Sequence, residues 1–184
     1  SMFMETKNVN FLSIALRNGI LLGVACVVLS VLLYVTNLLY TGSFLIGAIT
    51  WLLNLAICVV FIVMAVQQYK TANDGFLTVG EAIKVGIVTA LVGGVIAAIY
   101  SVIYTTVIDP NYYEKVVEVT MEKMSAFTSN FSEEQMEELR EKTLQSKPSV
   151  VWTFFSSILG SAIGGVIISA IVGAVKKKER PMPL

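Results

Sequence analysis

Residues 18–69 read NGILLGVACVVLSVLLYVTNLLYTGSFLIGAITWLLNLAICVVFIVMAVQQY, and not one of them is charged. A helix needs about 20 apolar residues to cross roughly 30 Å of hydrocarbon, so this stretch is long enough for two crossings. It must turn where loop-forming residues cluster, at Thr36, Asn37, Thr41, Gly42 and Ser43. Residues 85–108 and 148–175 are equally free of charge. The expected spans are about 12–34, 44–67, 79–107 and 151–175, all within one membrane domain covering 1–184. The predicted fold class is therefore all-α: a four-transmembrane-helix bundle with an extracytoplasmic amphipathic helical hairpin, 109–147, between helices 3 and 4.

Composition agrees. With 55% hydrophobic and 14% charged residues and a mean hydropathy of +0.76, the chain lies outside the range of ordinary soluble domains. Its 184 residues leave room for one bundle and a modest extramembrane element, not for a separate catalytic domain.

Charge is segregated although the formal net charge is zero. Lys7 and Arg17 precede helix 1, Lys70 and Lys84 flank the connection between helices 2 and 3, and Lys176, Lys177, Lys178 and Arg180 follow helix 4. These segments carry eight basic and four acidic residues, whereas Asp109 to Lys147 carries five basic and nine acidic. Positive residues are retained on the cytoplasmic side, which places both termini in the cytoplasm and the hairpin outside. Tyr34, Tyr40, Tyr104 and Trp152 then fall near the outer interface and Tyr69 near the inner one. The basic tail 176–180 reads as a topology anchor able to attract anionic lipid.

A cleaved secretory signal fits the amino terminus poorly, because Arg17 would interrupt its apolar region. A lipoprotein signal at Cys26 fits no better, since no leucine stands three residues before it. Ser1 before Met2 has the look of a cloning remnant. Cys26 and Cys58 lie in separate spans without metal-ligand spacing, and are expected as unpaired thiols rather than a disulfide.

The segment between spans 3 and 4 has its own grammar. Asp109-Pro110 suggests an N-cap carboxylate followed by proline at the first helical position. Tyr113, Val116, Val117, Met121, Met124 and Phe127 recur at helical spacing and form one apolar stripe. Ser132 and Gln135 form a capping box for a second helix, and Lys147-Pro148 ends it. Helices this short are marginal alone, so their stripes should be buried against each other, the bundle or another subunit. The acidic faces read mainly as solvated surfaces.

In lipid, helices associate by close backbone approach, so small residues matter most inside the bundle. Helix 4 carries Ser157, Ser161, Gly165, Ser169 and Gly173 at four-residue intervals, and helix 3 offers Gly86, Ala90 and Gly94. These are the expected helix-packing residues, whether helix 3 meets helix 4 within a chain or helix 4 meets its copy in a homo-oligomer. Arg17-Asn18-Gly19-Ile20 and Lys84-Val85-Gly86-Ile87 form a weak internal echo, each opening an outward-going helix.

Reactive chemistry is sparse. There is no histidine, and no charge lies deep in any span, which argues against proton relays, ion-coupled transport and intramembrane hydrolysis. No phosphate loop, metal-ligand spacing or nucleophile–base set occurs, so no catalytic residue, cofactor, metal or nucleic-acid partner is expected. Three candidates deserve mention. Asn54 is the most membrane-central strongly polar side chain, expected to make an interhelical hydrogen bond. Glu81 and Lys84 sit at the start of helix 3, where Thr78-Val79-Gly80-Glu81 reads as a capping box and Lys84 as a snorkelling residue.

The succession Leu16-Arg17-Asn18-Gly19-Ile20-Leu21-Leu22-Gly23, Leu77-Thr78-Val79-Gly80-Glu81-Ala82-Ile83-Lys84-Val85-Gly86 and Ile108-Asp109-Pro110, followed by a Glu-rich helix and a lysine-ended span, resembles the bacterial domain-of-unknown-function family numbered 4199. The resemblance covers nearly the whole chain and implies a small multi-pass protein of the bacterial cytoplasmic (inner) membrane. It implies no activity and no functional residues.

The first expectation is thus a non-enzymatic scaffold or accessory subunit in the lipid bilayer, acting through helix packing and a membrane-protein partner at the hairpin. The alternative is an oligomeric channel or small-solute carrier lined by Asn54, Thr89, Ser101 and Thr105.

Overall fold

The computed structural model describes residues 9–184; Ser1, Met2 and Lys7 lie outside the described residues. Six α-helices follow in order: α1 (Phe11–Val35), α2 (Phe44–Ala72), α3 (Val79–Ile103), α4 (Tyr112–Met124), α5 (Glu133–Gln145) and α6 (Val150–Lys176). A π-helical turn, Tyr104–Ile108, extends α3. Four of these, α1, α2, α3 with its extension, and α6, are long and apolar enough to cross a membrane. Helix α2 runs on past Gln67 to Ala72, where Asn73 to Gly75 turn the chain with Asp74 and Gly75 at positive φ.

Helix starts follow local chemistry. Thr78 and Ser132 each close a capping box, with Glu81 and Gln135 reaching back to the cap N–H. Ser43 and Ser149 cap α2 and α6 through their hydroxyls. Asp109 does not cap α4: that helix starts at Tyr112 behind Asn111, without a side-chain cap. The Asp109 carboxylate is taken by the Lys115 ammonium and two tyrosine hydroxyls, and charge-assisted bonds outcompete a cap.

Helix α3 is the central element, with 44% of its most apolar window buried against 17–22% for the other three. Its two packing faces are built from small residues. Toward α6 the pairs are Ala82 with Gly173, Gly86 with Ser169, Ala90 with Gly165, and Gly94 with Ser161, an antiparallel register stepping by four. Toward α1, Gly19 meets Thr89 and Val92, Leu22 meets Gly93, and Gly23 meets Ile96, a parallel register. The glycines of the sequence echo thus both face close neighbours, Gly19 on α3 and Gly86 on α6. The helix 4 stripe, α6 here, lies against helix 3 of its own chain from Ser161 to Gly173; Ser157 instead borders a small pocket with Ala98.

Helix α2 is held differently. Its buried residues, Ile62, Ala65 and Val66, all lie in one half, and Ile62 and Val66 join Leu77, Ala82 and Ala90 in the apolar core. The half from Phe44 to Phe61 has no buried residue. Helix α2 thus closes the bundle at the end that carries the α2–α3 turn.

Candidate functional site

Three places concentrate polar groups or free volume. The first is the root of the α4–α5 segment. The π turn carries a five-residue hydrogen bond, from the Asp109 N–H to the Tyr104 carbonyl at 2.7 Å, and this wider turn brings both side chains to one side of the helix end. Asp109 is only 5% exposed. Its carboxylate accepts from Lys115 Nζ at 2.9 and 3.0 Å, from the Tyr40 hydroxyl at 2.8 Å and from the Tyr104 hydroxyl at 3.2 Å. The two hydroxyls also lie within bonding distance of each other, and with one proton apiece they fill two of these three contacts at a time. The Lys115 bond holds the Asp109 carboxyl below its ordinary range against the opposing effect of burial, and the two phenols add to this. Burial, then the bonds to Tyr104 and Asp109, push the Tyr40 phenol up.

From this root α4 runs back over the start of α2. Lys123 lies 5.7 Å above the Phe44 ring, and Phe127 meets that ring edge-on at 6.5 Å. Helix α5 joins α4 through the Tyr113 hydroxyl, which donates to the Thr143 carbonyl at 2.7 Å, and through an Arg140–Glu118 ion pair. Of the predicted stripe, Val117 is buried, whereas Val116 and Phe127 are exposed.

The second place is the closed end of the bundle. Glu81 accepts from the Tyr69 hydroxyl, from the Thr78 N–H at 2.9 Å and from the Asn73 amide at 3.4 Å. Lys84 does not pair with it; its ammonium sits 4.0 Å above the Phe11 ring. The tail is strapped over the turn: Leu77 and Lys178 exchange backbone bonds at 2.8 and 2.9 Å, and Arg180 donates to Asn73 at 3.2 Å and covers the Phe76 ring at 4.7 Å.

The third place is a cavity of about 340 Å³ within the spans, bounded by α2, α3 and α6 with α1 behind. Trp51, Asn54 and Cys58 line it from α2, and Gly94, Gly160 and Gly164 form the opposite wall. An added Cβ would meet nothing within 4 Å at Gly160 or Gly164. Asn54 makes no interhelical bond; its amide donates to the Thr50 carbonyl of its own helix at 3.1 Å, because α2 stands away from α6 here. Cys26 of α1 and Cys58 of α2 are free thiols that both line this cavity.

Sequence reasoning missed a buried polar residue that bridges two spans. Asn18 is buried, and its amide donates to the Ile14 carbonyl and to Gln68 Oε1, both at 2.8 Å, tying α1 to α2. Its own Oδ1 has no partner among the described residues. The signal was faint: Asn18 and Gln68 both sit at the charged margins of their spans, where a polar side chain is unremarkable. The four residues weighed as a pore lining do not share a cavity. Asn54 faces the central one, Thr89 is buried against α1 with its hydroxyl on the Val85 carbonyl, and Ser101 and Thr105 border the small pocket beside Ala98.

Four membrane-length helices around a glycine-faced central one, with a polar root holding two short helices at one end, define a multi-pass membrane protein. Residues 17–178 match the model of the family described as protein of unknown function (DUF4199), and the chain belongs to that family. Searches of curated proteins and of solved structures gave no match.

Proposed function

We propose that this protein is a non-enzymatic scaffold or accessory subunit of the bacterial cytoplasmic membrane, with N and C termini cytoplasmic, that engages a membrane-protein partner through α4 and α5. The observation that carries this reading is the pairing of a fixed base with an exposed apolar tip. The Asp109–Lys115–Tyr40–Tyr104 network fastens the root, while Phe127 and Phe131 stand 80% and 50% exposed at the far end. Exposed aromatics on a preorganised element favour association, since little ordering is left to do on binding. The orientation rests on the eight basic residues outside the 109–147 segment. The Asp109 and Glu81 carboxylates at the two ends are each held by several bonds, which suits structural rather than chemical roles.

A photo-crosslinking residue at Phe127, activated in intact membranes, tests the reading. A discrete protein adduct is expected, weakened when Asp109→Asn loosens the root; adducts to lipid alone would refute it. Vesicles holding the purified protein should pass no ions or small solutes beyond empty controls. Reproducible flux would favour the channel or carrier alternative instead.

A further inference from the structure

The intramembrane cavity has features that a packing defect lacks. Small residues at α3 and α6 elsewhere bring the two backbones together, yet Gly160 and Gly164 face open space. The volume, about 340 Å³, falls in the range of small-molecule sites. Asn54 lies about midway along the uncharged part of α2 before Gln67, so a bilayer crossed by these spans places the cavity near its middle, among hydrocarbon. The Asn54 amide spends one N–H on the Thr50 carbonyl, and its Oδ1 carries no bond among the described residues. An amide oxygen in that setting is an acceptor without a donor, a costly arrangement away from water. The second Asn54 N–H is likewise unbonded among the described residues, so a fitting occupant drawn from the membrane is apolar over most of its length and ends in a group that donates to Oδ1 and can also accept.

We propose that this cavity binds a single aliphatic chain ending in a hydroxyl or protonated carboxyl group, which enters sideways from the bilayer between α2 and α6 and donates to Asn54 Oδ1. The chain lies along the glycine wall of α6, and Trp51 and Cys58 cover its other side. Long-chain alcohols and protonated fatty acids share this chemistry. The inference is independent of the partner-docking reading, because α4 and α5 contribute nothing to the cavity.

Trp51 is a built-in reporter. In the Trp152→Phe protein, reconstituted in phosphatidylcholine vesicles, Trp51 is the one tryptophan left of two. Terminally brominated undecanol should quench its fluorescence saturably, with half-saturation at about tenfold lower mole fraction than the matching bromoundecane, the value expected for one hydrogen bond in hydrocarbon. Gly164→Leu fills the cavity and should leave only the linear quenching of bulk lipid contact. Asn54→Leu keeps the chain site but should make alcohol and hydrocarbon equivalent. Brominated undecanoic acid at low and high pH separates the two donor types, binding only when protonated. Linear quenching in the parent protein, or saturable quenching untouched by Gly164→Leu, would overturn the site. Equal quenching by alcohol and hydrocarbon in the parent protein would overturn the role of Asn54.

Discussion

Replacing Gly165 by alanine puts a Cβ 2.5 Å from that of Ala90 and 3.3 Å from the Gly86 carbonyl oxygen, whereas the same change at Gly164 meets nothing within 4 Å. Carbon atoms pack at about 3.5–4.0 Å, so the Gly165 variant must push α3 and α6 apart by roughly 1 Å at this contact. Overpacking of this kind costs about 1–3 kcal/mol, or roughly a 5- to 150-fold loss in the folded-to-unfolded ratio. Both variants gain the same helix propensity, so their difference isolates the interhelical contact. Reversible unfolding in mixed detergent micelles, followed by circular dichroism, measures it. Gly164→Ala should stay within about 0.5 kcal/mol of the parent. Equal midpoints for the two variants would refute the register, since only the face each glycine presents distinguishes them.

Two further outcomes follow from the polar root and the charge distribution. Asp109→Asn should raise hydrogen exchange in α4 by the equivalent of about 1.5–3 kcal/mol, the usual worth of bonds to a charged group, with α1 and α6 unaffected. The pH dependence has a definite sign. Because the folded Asp109 carboxyl is depressed, its contribution is complete above the ordinary value near 3.9 and is lost only as pH falls through its own lower one. Because the folded Tyr40 phenol is raised, its contribution is complete below about 10 and is lost only as pH rises through its own higher value. The root should therefore hold unchanged from about pH 5 to 9, and loosening near neutrality would contradict this. For orientation, a membrane-impermeant maleimide should label Ser129→Cys in intact spheroplasts but Glu179→Cys only after permeabilisation; the reverse pattern would invert the proposed topology.

How much was legible in the sequence depended on whether a property is local. The four spans were readable because the absence of charge over a helix length is a one-dimensional signal, and Thr78 and Ser132 were readable because a capping box closes within four residues. The four-residue spacing of small residues on α3 and α6 identified both surfaces but not their pairing, which only the register Gly86–Ser169 and Ala90–Gly165 resolves. Asp109 looked like a cap because Asp-Pro commonly is one; its real partners include Tyr40, nearly seventy positions away in the chain. The interhelical bond expected of Asn54 is made by Asn18, for which nothing was expected, for a similar reason. Depth within a span is visible in sequence, but which helix stands opposite is not, and the bond fell to the asparagine that had Gln68 in reach.

The uneven hold on α2 has a mechanical consequence. Its 29 residues make a rod of about 43 Å, longer than roughly 30 Å of hydrocarbon, so it must lean or protrude. Its buried residues, Ile62, Ala65 and Val66, lie near one end, and the other end is held only at its tip, where Phe44 meets Phe127 and Lys123. A thinner bilayer favours more lean and a thicker one less. The stretch without buried residues, where such lean would be taken up most easily, carries Trp51 and Asn54 of the cavity lining.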